Sequence, residues 1–206
     1  SKSWAIAARN AEDGISAAQT AESALLEIAA LAQRLRELGI QADNAALHQS
    51  ASDTAALNAE AASIGTAIDA IVQKTTFNGV QLLDTDDVTK AIGVTDDGGT
   101  LTLTFKEVNA ATRTAAAGAD GSADTTLQEV AISLGNVAAG IAALKGRQAV
   151  AYSASANLAA AAARVEDTDF AKETANLTKN SVLNQSAMAM VAQANQAQSA
   201  ILAVLQ

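Results

Sequence analysis

The chain contains no proline among its 206 residues, and this absence constrains its fold more than any other feature. Proline removes a backbone donor and clashes with the preceding helical turn, so helices in a proline-free chain can be long. Half of the residues are hydrophobic, but only 2% are aromatic. A core of Ala, Leu, Ile and Val buries little area per residue. Long helices that also bury surface against neighbouring subunits are therefore favoured.

Apolar residues recur at helical spacing along the first 75 residues. The stripe of a first helix comprises Ile15, Leu25, Ile28, Leu31, Ala32, Leu35, Leu38 and Gly39. The stripe of a second helix comprises Leu57, Ala61, Ile64, Ile68 and Ile71. Asp43-Asn44 offers a break between them, and Ser52-Asp53 offers an N-cap. Spacings of three and four predict two adjacent helices that pair like a coiled coil.

The pattern changes over residues 76–126, where we expect a small, mostly β insertion. Phe77-Asn78-Gly79 predicts a turn, because Asn and Gly tolerate positive φ. Residues 84–100 are acidic and rich in glycine, and 101–105 alternate apolar residues with Thr, which predicts a strand. Residues 109–126 indicate loop or weak strand.

Helical pattern returns at Leu127 and continues to Val165, with a cap predicted at 167–169 and a last helix beginning near Phe170. From Asn180 to Gln206 no side chain is charged. Two apolar stripes run along this segment: Leu183, Ala187, Met190, Ala194, Ala197, Ile201 and Val204 in one, and Met188, Val191, Leu202 and Leu205 in the other. Such a helix is marginal alone in water, so burial against other helices is predicted.

Several function classes are disfavoured by composition. A net charge of −9 argues against nucleic acid and against an anionic membrane surface. Asn and Gln in the last segment disfavour a membrane span. Without cysteine, and with His48 as the single histidine, no catalytic dyad or zinc site is expected. The aspartates between 84 and 97 do not match a calcium loop and indicate turns. We expect no enzyme activity, no metal and no cofactor.

Five strings, in this order along the chain, resemble the terminal regions of bacterial flagellins. They are RNAEDGIS at 9–16, QRLREL at 33–38, TFNG at 76–79, RVEDTDFAKE at 164–173 and AQANQ at 192–196. The middle of the chain does not match, as expected of the variable region of this family. Flagellins open with a further helical segment, so the resemblance predicts a chain that lacks this N-terminal inner-tube segment.

The resemblance implies a mainly α fold, a flagellin D1-like bundle of long helices with a small β-rich variable insertion and a C-terminal helix. Residues 1–75 and 127–170 would form the two helical parts of the bundle, and 76–126 the β-turn and outer insertion, of which 84–126 would face solvent. Residues 171–206 would form the inner-tube helix. The self-assembly residues on this helix would be Leu183, Ala187, Met190, Val191, Ala194, Ile201 and Leu205.

The implied function is that of a structural subunit of the flagellar filament, which polymerises head-to-tail into a helical tube for motility. The implied partners are other subunits, an export chaperone at the C-terminal helix, the type III flagellar export apparatus and a Toll-like innate immune receptor. The candidate receptor epitope is Arg34, Leu38 and Glu60. The protein would be secreted and extracellular.

Two alternatives remain open at this point. A hook–filament junction protein has similar ends, although the strings at both ends favour a flagellin. A cell-surface, flagellin-like adhesin would bind polysaccharide through the variable insertion.

Overall fold

The computed structural model describes residues 2–44, 50–108 and 116–204, without the side chains of 167–169 and 201–204. Three helices and two β-hairpins follow one another along these ranges. They are α1 (Lys2–Asp43), α2 (Ala51–Lys74), β1 (Thr76–Phe77), β2 (Val80–Gln81), β3 (Val88–Gly93), β4 (Thr100–Phe105) and α3 (Ala119–Val204). The chain divides into two compact units, Ser1–Ser155 and Ala156–Gln206. A mainly α fold with a small β insertion is therefore confirmed.

The apolar stripes predicted for the first two helices form the core of the first unit. Leu25, Ile28 and Leu35 of α1 are fully buried, and so is Ile68 of α2. α2 begins after the N-cap Ser50, whose hydroxyl accepts a hydrogen bond from the backbone N–H of Asp53 at 3.2 Å. The cap thus precedes the predicted Ser52-Asp53 by two residues. His48 lies outside the described residues.

The turn predicted at Phe77-Asn78-Gly79 is confirmed. Asn78 and Gly79 have positive φ values of 50° and 77°, and they connect the antiparallel strands β1 and β2. Both central residues of such a tight hairpin turn must enter the left-handed region, which Asn and Gly do at the lowest cost. The β1–β2 hairpin therefore follows directly from local sequence.

The second hairpin differs from the prediction in two respects. Its strand β4 was expected, but β3 lies within the segment interpreted as acidic loop, and Val88 pairs with Phe105 in the antiparallel register. The hairpin also does not face solvent on both sides, because Leu103 and Phe105 are buried in the same core cluster as α1. The amide of Asn10 on α1 donates to the carbonyl of Gly93 at 3.2 Å and fixes the hairpin to that helix.

Helix α3 is longer than the sequence predicted, because it starts earlier and has no break. It begins at Ala119 instead of Leu127, and it continues through residues 167–169 without a break. The early start is stabilised by the burial of Ala119 and Ala123. It is also stabilised by the attraction between the Asp120 carboxylate in the first turn and the positive end of the helix dipole. Val130, Val137 and Leu144 of α3 are buried in the core, and Leu134 and Ile141 are half-buried beside them.

Two helices, α2 and the part of α3 from Ala119 to Ala200, are long and apolar enough to cross a membrane by length and composition alone. This is weak evidence for a span, because the core helix of a soluble protein passes the same test. α2 carries Glu60 and Asp69, and it buries Ala61, Ile64 and Ile68 within the core. These features are those of a bundle helix.

Candidate assembly surface

The second unit exposes its side chains to an unusual extent. Every side chain that the structure describes from 156 to 200 is exposed. The large apolar ones are among the most exposed of the described chain, with Phe170 at 76% and Met190 at 71% of their full accessible surface. Isolated apolar residues are common on protein surfaces, but a contiguous apolar patch of this length indicates a surface that another molecule covers.

The predicted assembly residues lie on this unit. Leu183, Met190 and Val191 are 56%, 71% and 60% exposed, and Ala187 and Ala194 are exposed as well. Ile201 lies within α3, but its side chain is outside the described set, and Leu205 lies beyond the described residues. Full burial of a Leu, Met or Val side chain stabilises an assembly by roughly 1.5–3 kcal/mol.

The polar side chains between these apolar residues carry no charge from Asn180 onward. Burying an unpaired charge is expensive, whereas an amide or hydroxyl can be buried at low cost once it is hydrogen-bonded. Ser199 already donates to the carbonyl of Gln196 at 2.9 Å. This composition suits a helix that is buried on most of its circumference in an assembly.

The second candidate site is a charged cluster on the first unit, where α1 meets α2. The guanidinium of Arg34 donates to Glu60 at 2.7 Å and to Glu37 at 2.9 Å, and these hydrogen bonds raise the pKa of Arg34, with Glu37 as the larger cause. Arg34 and Glu60 are about half exposed. Leu38, in contrast, is fully buried in the core, so it cannot touch a partner directly. Of the three candidate epitope residues, Arg34 and Glu60 are therefore the exposed ones, and the epitope stays a prediction.

Asp97 lies in a turn, as the sequence indicated, whereas Asp87 forms an ion pair across the β3–β4 hairpin. Asp87 accepts hydrogen bonds from the Lys106 ammonium and from the backbone N–H of Glu107, both at 2.9 Å, and these lower its pKa. Asp97 accepts from the hydroxyl of Thr95 and from the backbone N–H of Gly99, which lowers its pKa too. In the described ranges no group of three or more potential metal ligands occurs.

The sequence did not predict one feature, an apolar groove of about 330 Å³ in the first unit. It lies where α1 meets both hairpins, and it is lined by Asp13, Gly14, Ala17, Phe77, Asn78, Val80, Leu82, Thr89, Lys90, Ala91, Ile92, Leu103 and Phe105. These residues come from five elements, and no local pattern connects them.

Two family models match the chain. Residues 2–87 match the family model of the bacterial flagellin N-terminal helical region, and residues 118–205 match that of the C-terminal helical region. The β3–β4 hairpin falls between the two matches.

Relatives match over nearly the whole chain. It is 37% identical to a flagellin of Halalkalibacterium halodurans and 34% identical to a flagellin of Bacillus subtilis, over 97% of this chain and 77% and 80% of theirs. It is 31% identical to the flagellar filament 33 kDa core protein of Treponema phagedenis, over 97% of this chain and 78% of that protein. A crystal structure of Bacillus cereus flagellin aligns with a TM-score of 0.45 at 25% identity, over 70% of this chain and 85% of that one.

Proposed function

The chain belongs to the bacterial flagellin family, and we propose that its filament contacts are made by the apolar stripes of residues 171–206. It is a structural subunit that polymerises with other flagellin subunits into the flagellar filament, not an enzyme. As a component of the flagellum it is extracellular. Neither a junction protein nor an adhesin is favoured.

The observation that supports this proposal is the combination of exposure and missing charge on the last part of α3. Leu183, Met190 and Val191 are each more than half exposed, and no charged side chain lies within the segment from Asn180 onward. Residues 171–206 would form the inner-tube helix, 76–126 the outer part, and 1–75 with 127–170 the surrounding bundle. Identical subunits that contact head-to-tail form an open helical polymer.

The assembly proposal is tested by truncating one apolar side chain. We expect Leu183→Ala in the full chain to raise the critical concentration for filament formation at least tenfold, since truncating a well-packed Leu costs about 2–5 kcal/mol. The matched control is Gln185→Ala on the same helix, which we expect to change it much less. Filaments that form equally well with both variants would contradict the proposal.

The same uncharged helix is the proposed site for an export chaperone. A cytoplasmic partner that covers the apolar stripes before export would prevent premature polymerisation, because it would occupy the surface that a second subunit needs. Secretion would then proceed through the type III flagellar export apparatus. Because both roles use the same surface, we expect Leu183→Ala to weaken chaperone binding to the monomer as well as filament formation, whereas Gln185→Ala should change both much less.

The charged cluster of Arg34 and Glu60 is the proposed contact for a Toll-like innate immune receptor. Exposed ion pairs contribute little to stability, so the cluster can be altered without unfolding the bundle. We expect Arg34→Ala to reduce receptor signalling, whereas Arg36→Ala, which removes an equally exposed ion pair with Asp124, should leave it unchanged. Equal signalling by both variants and by the unaltered protein would exclude Arg34 from the contact.

A further inference from the structure

The turn between β1 and β2 contains the single Asn-Gly pair of the chain, since no asparagine other than Asn78 is followed by glycine. At such a pair the backbone nitrogen of the glycine can attack the side-chain amide carbon of the asparagine, because glycine has no Cβ to obstruct the approach. A five-membered succinimide ring forms, and ammonia leaves. Water then opens the ring at one of its two carbonyls, which gives aspartate or isoaspartate.

The structure leaves the reacting atoms of this turn accessible. Asn78 and Gly79 are both exposed. The register pairs Phe77 with Val80, so the N–H of Gly79 lies in the turn and takes no part in the ladder. Apart from its neighbours in the chain, no described atom lies within 4 Å of a Cβ built on Gly79. Water and base therefore reach this nitrogen, and the ring has room to form.

The hairpin that holds the turn is short enough to open. Strands β1 and β2 have two residues each, and the Leu82 N–H continues the pairing by donating to the Thr75 carbonyl at 3.0 Å. A two-stranded hairpin is marginally stable by itself, and exposed segments with few hydrogen bonds open at low free energy. Ring closure requires rotation about the backbone of Asn78, which the closed turn resists and the open hairpin allows.

Other asparagines are held in ways that prevent this reaction. Asn180 is exposed and precedes the small Ser181, but both lie inside α3, where each backbone N–H bonds to the carbonyl four residues earlier. The amide nitrogen of Asn10 donates to the Gly93 carbonyl at 3.2 Å. The amide oxygen of Asn58 accepts from the backbone N–H of Ala116 at 2.8 Å. The reaction is therefore expected at one position of the described chain.

We propose that Asn78 is a site of spontaneous deamidation in the folded chain, with isoaspartate as the main product. Isoaspartate predominates because the ring carbonyl beside the Cα of Asn78 is the more electrophilic of the two. The conversion consumes one water and releases one ammonia, and it needs no enzyme and no oxidant. The proposal goes beyond the filament function and does not depend on it.

The product changes both the turn and the groove beside it. Isoaspartate passes the main chain through the former side-chain carbon, which adds an atom to a two-residue turn and disrupts the pairing of Phe77 with Val80. Asn78 also lines the apolar groove, whose lining carries one cation, Lys90, and one anion, Asp13. Deamidation therefore adds a second negative charge to the groove.

Peptide mapping of the aged protein tests the proposal. The full chain is kept folded in a mildly alkaline buffer, digested at intervals and analysed by mass spectrometry, with electron-transfer fragmentation to distinguish isoaspartate from aspartate. We expect Asn78 to react at least tenfold faster than Asn180 and to give more isoaspartate than aspartate. Equal rates at the two positions would overturn the proposal. So would an unmodified folded chain after a period in which the urea-unfolded chain is fully converted.

The matched variant is Gly79→Asn. Among residues with a side chain, Asn adopts positive φ most readily, so the turn is kept while the new side chain obstructs the attacking nitrogen. We expect deamidation of Asn78 to become at least tenfold slower, at an unchanged urea midpoint. An unchanged rate would exclude the route through the nitrogen of Gly79.

A second measurement tests the effect on the turn. Anion exchange separates the deamidated chain by its added charge, and Asn78→Asp supplies the same charge without the additional main-chain atom. We expect the isoaspartate form to unfold at a lower urea concentration than Asn78→Asp. Equal midpoints would overturn the predicted disruption of the hairpin. Each of these measurements uses the monomer, so failure to form filaments would contradict the proposed function alone.

Discussion

Gly39 lies where two helices of the first unit approach each other closely. A Cβ atom built on Gly39 would press against the backbone N of Asp120 and lie 2.9 Å from its Cα. Neither atom can move aside as the end of a flexible side chain could. Nearby, Arg36 of α1 forms an ion pair with Asp124 of α3 at 2.8 Å. The beginning of α3 thus packs directly against the end of α1.

We expect Gly39→Ala to lower the free energy of unfolding by about 1–3 kcal/mol, because the added methyl group overpacks this contact. Urea denaturation followed by circular dichroism measures the change.

The matched control is Gly135→Ala, whose new Cβ would meet no atom within 4 Å. There the higher helix propensity of Ala should stabilise the protein by up to about 1 kcal/mol. An unchanged urea midpoint for Gly39→Ala would contradict the close approach.

At the scale of elements, the β3–β4 hairpin depends on an ion pair that closes its open end. The Lys106 ammonium is the first cause of the lowered pKa of Asp87, and the backbone N–H of Glu107 is the second. Because the folded pKa lies below that of an unfolded Asp, about 3.9, the ionised form stabilises the hairpin. This contribution is complete above that value and is lost as the pH falls through the folded pKa.

We expect the amide proton of Glu107 to report this loss in an NMR titration, with a midpoint below that of an ordinary Asp. Asp87→Asn should abolish the transition and make the hairpin less stable at neutral pH. Asp86→Asn removes an adjacent exposed acid that forms no ion pair with Lys106 and should preserve it. A midpoint at or above about 4 would contradict the assigned pair.

At the scale of the whole molecule, the described core lies entirely in the first unit. The last buried residue along the described chain is Ala151, and the side chains described from 156 to 200 are all exposed. Folding of the first unit and the proposed assembly through the second are therefore expected to be separable properties. The free energy of unfolding depends on contacts before Ser155, and filament formation on contacts with other subunits.

We expect a chain that ends at Ser155 to unfold at the same urea concentration as the full chain, because no described buried residue is removed. It should form no filaments. A chain that ends at Gly140 loses Leu144 and Ala151 from the core and should be clearly less stable. Equal stability of the two shortened chains would contradict this location of the core.

The amino-acid sequence by itself determined the features that depend on neighbouring residues. Apolar spacing along Leu25 to Leu38 predicted the buried face of α1, because helix geometry is local. Asn78-Gly79 predicted the turn between β1 and β2, because tight-turn geometry is local as well. The charge-free segment from Asn180 also predicted an assembly surface, and this surface stays a prediction. The family strings identified the filament class before any contact was known.

Only the tertiary structure decided which distant residues meet. Leu38 and Arg34 lie one helical turn apart, yet one is buried and the other exposed, because α2 and the core cover only one side of α1. β3 was not predicted because the polar residues of its segment indicate a loop. It is a strand in the structure because it pairs with β4, with Val88 opposite Phe105. The groove combines α1 with both hairpins. Contacts between residues far apart in sequence depend on how whole elements pack, which no local pattern encodes.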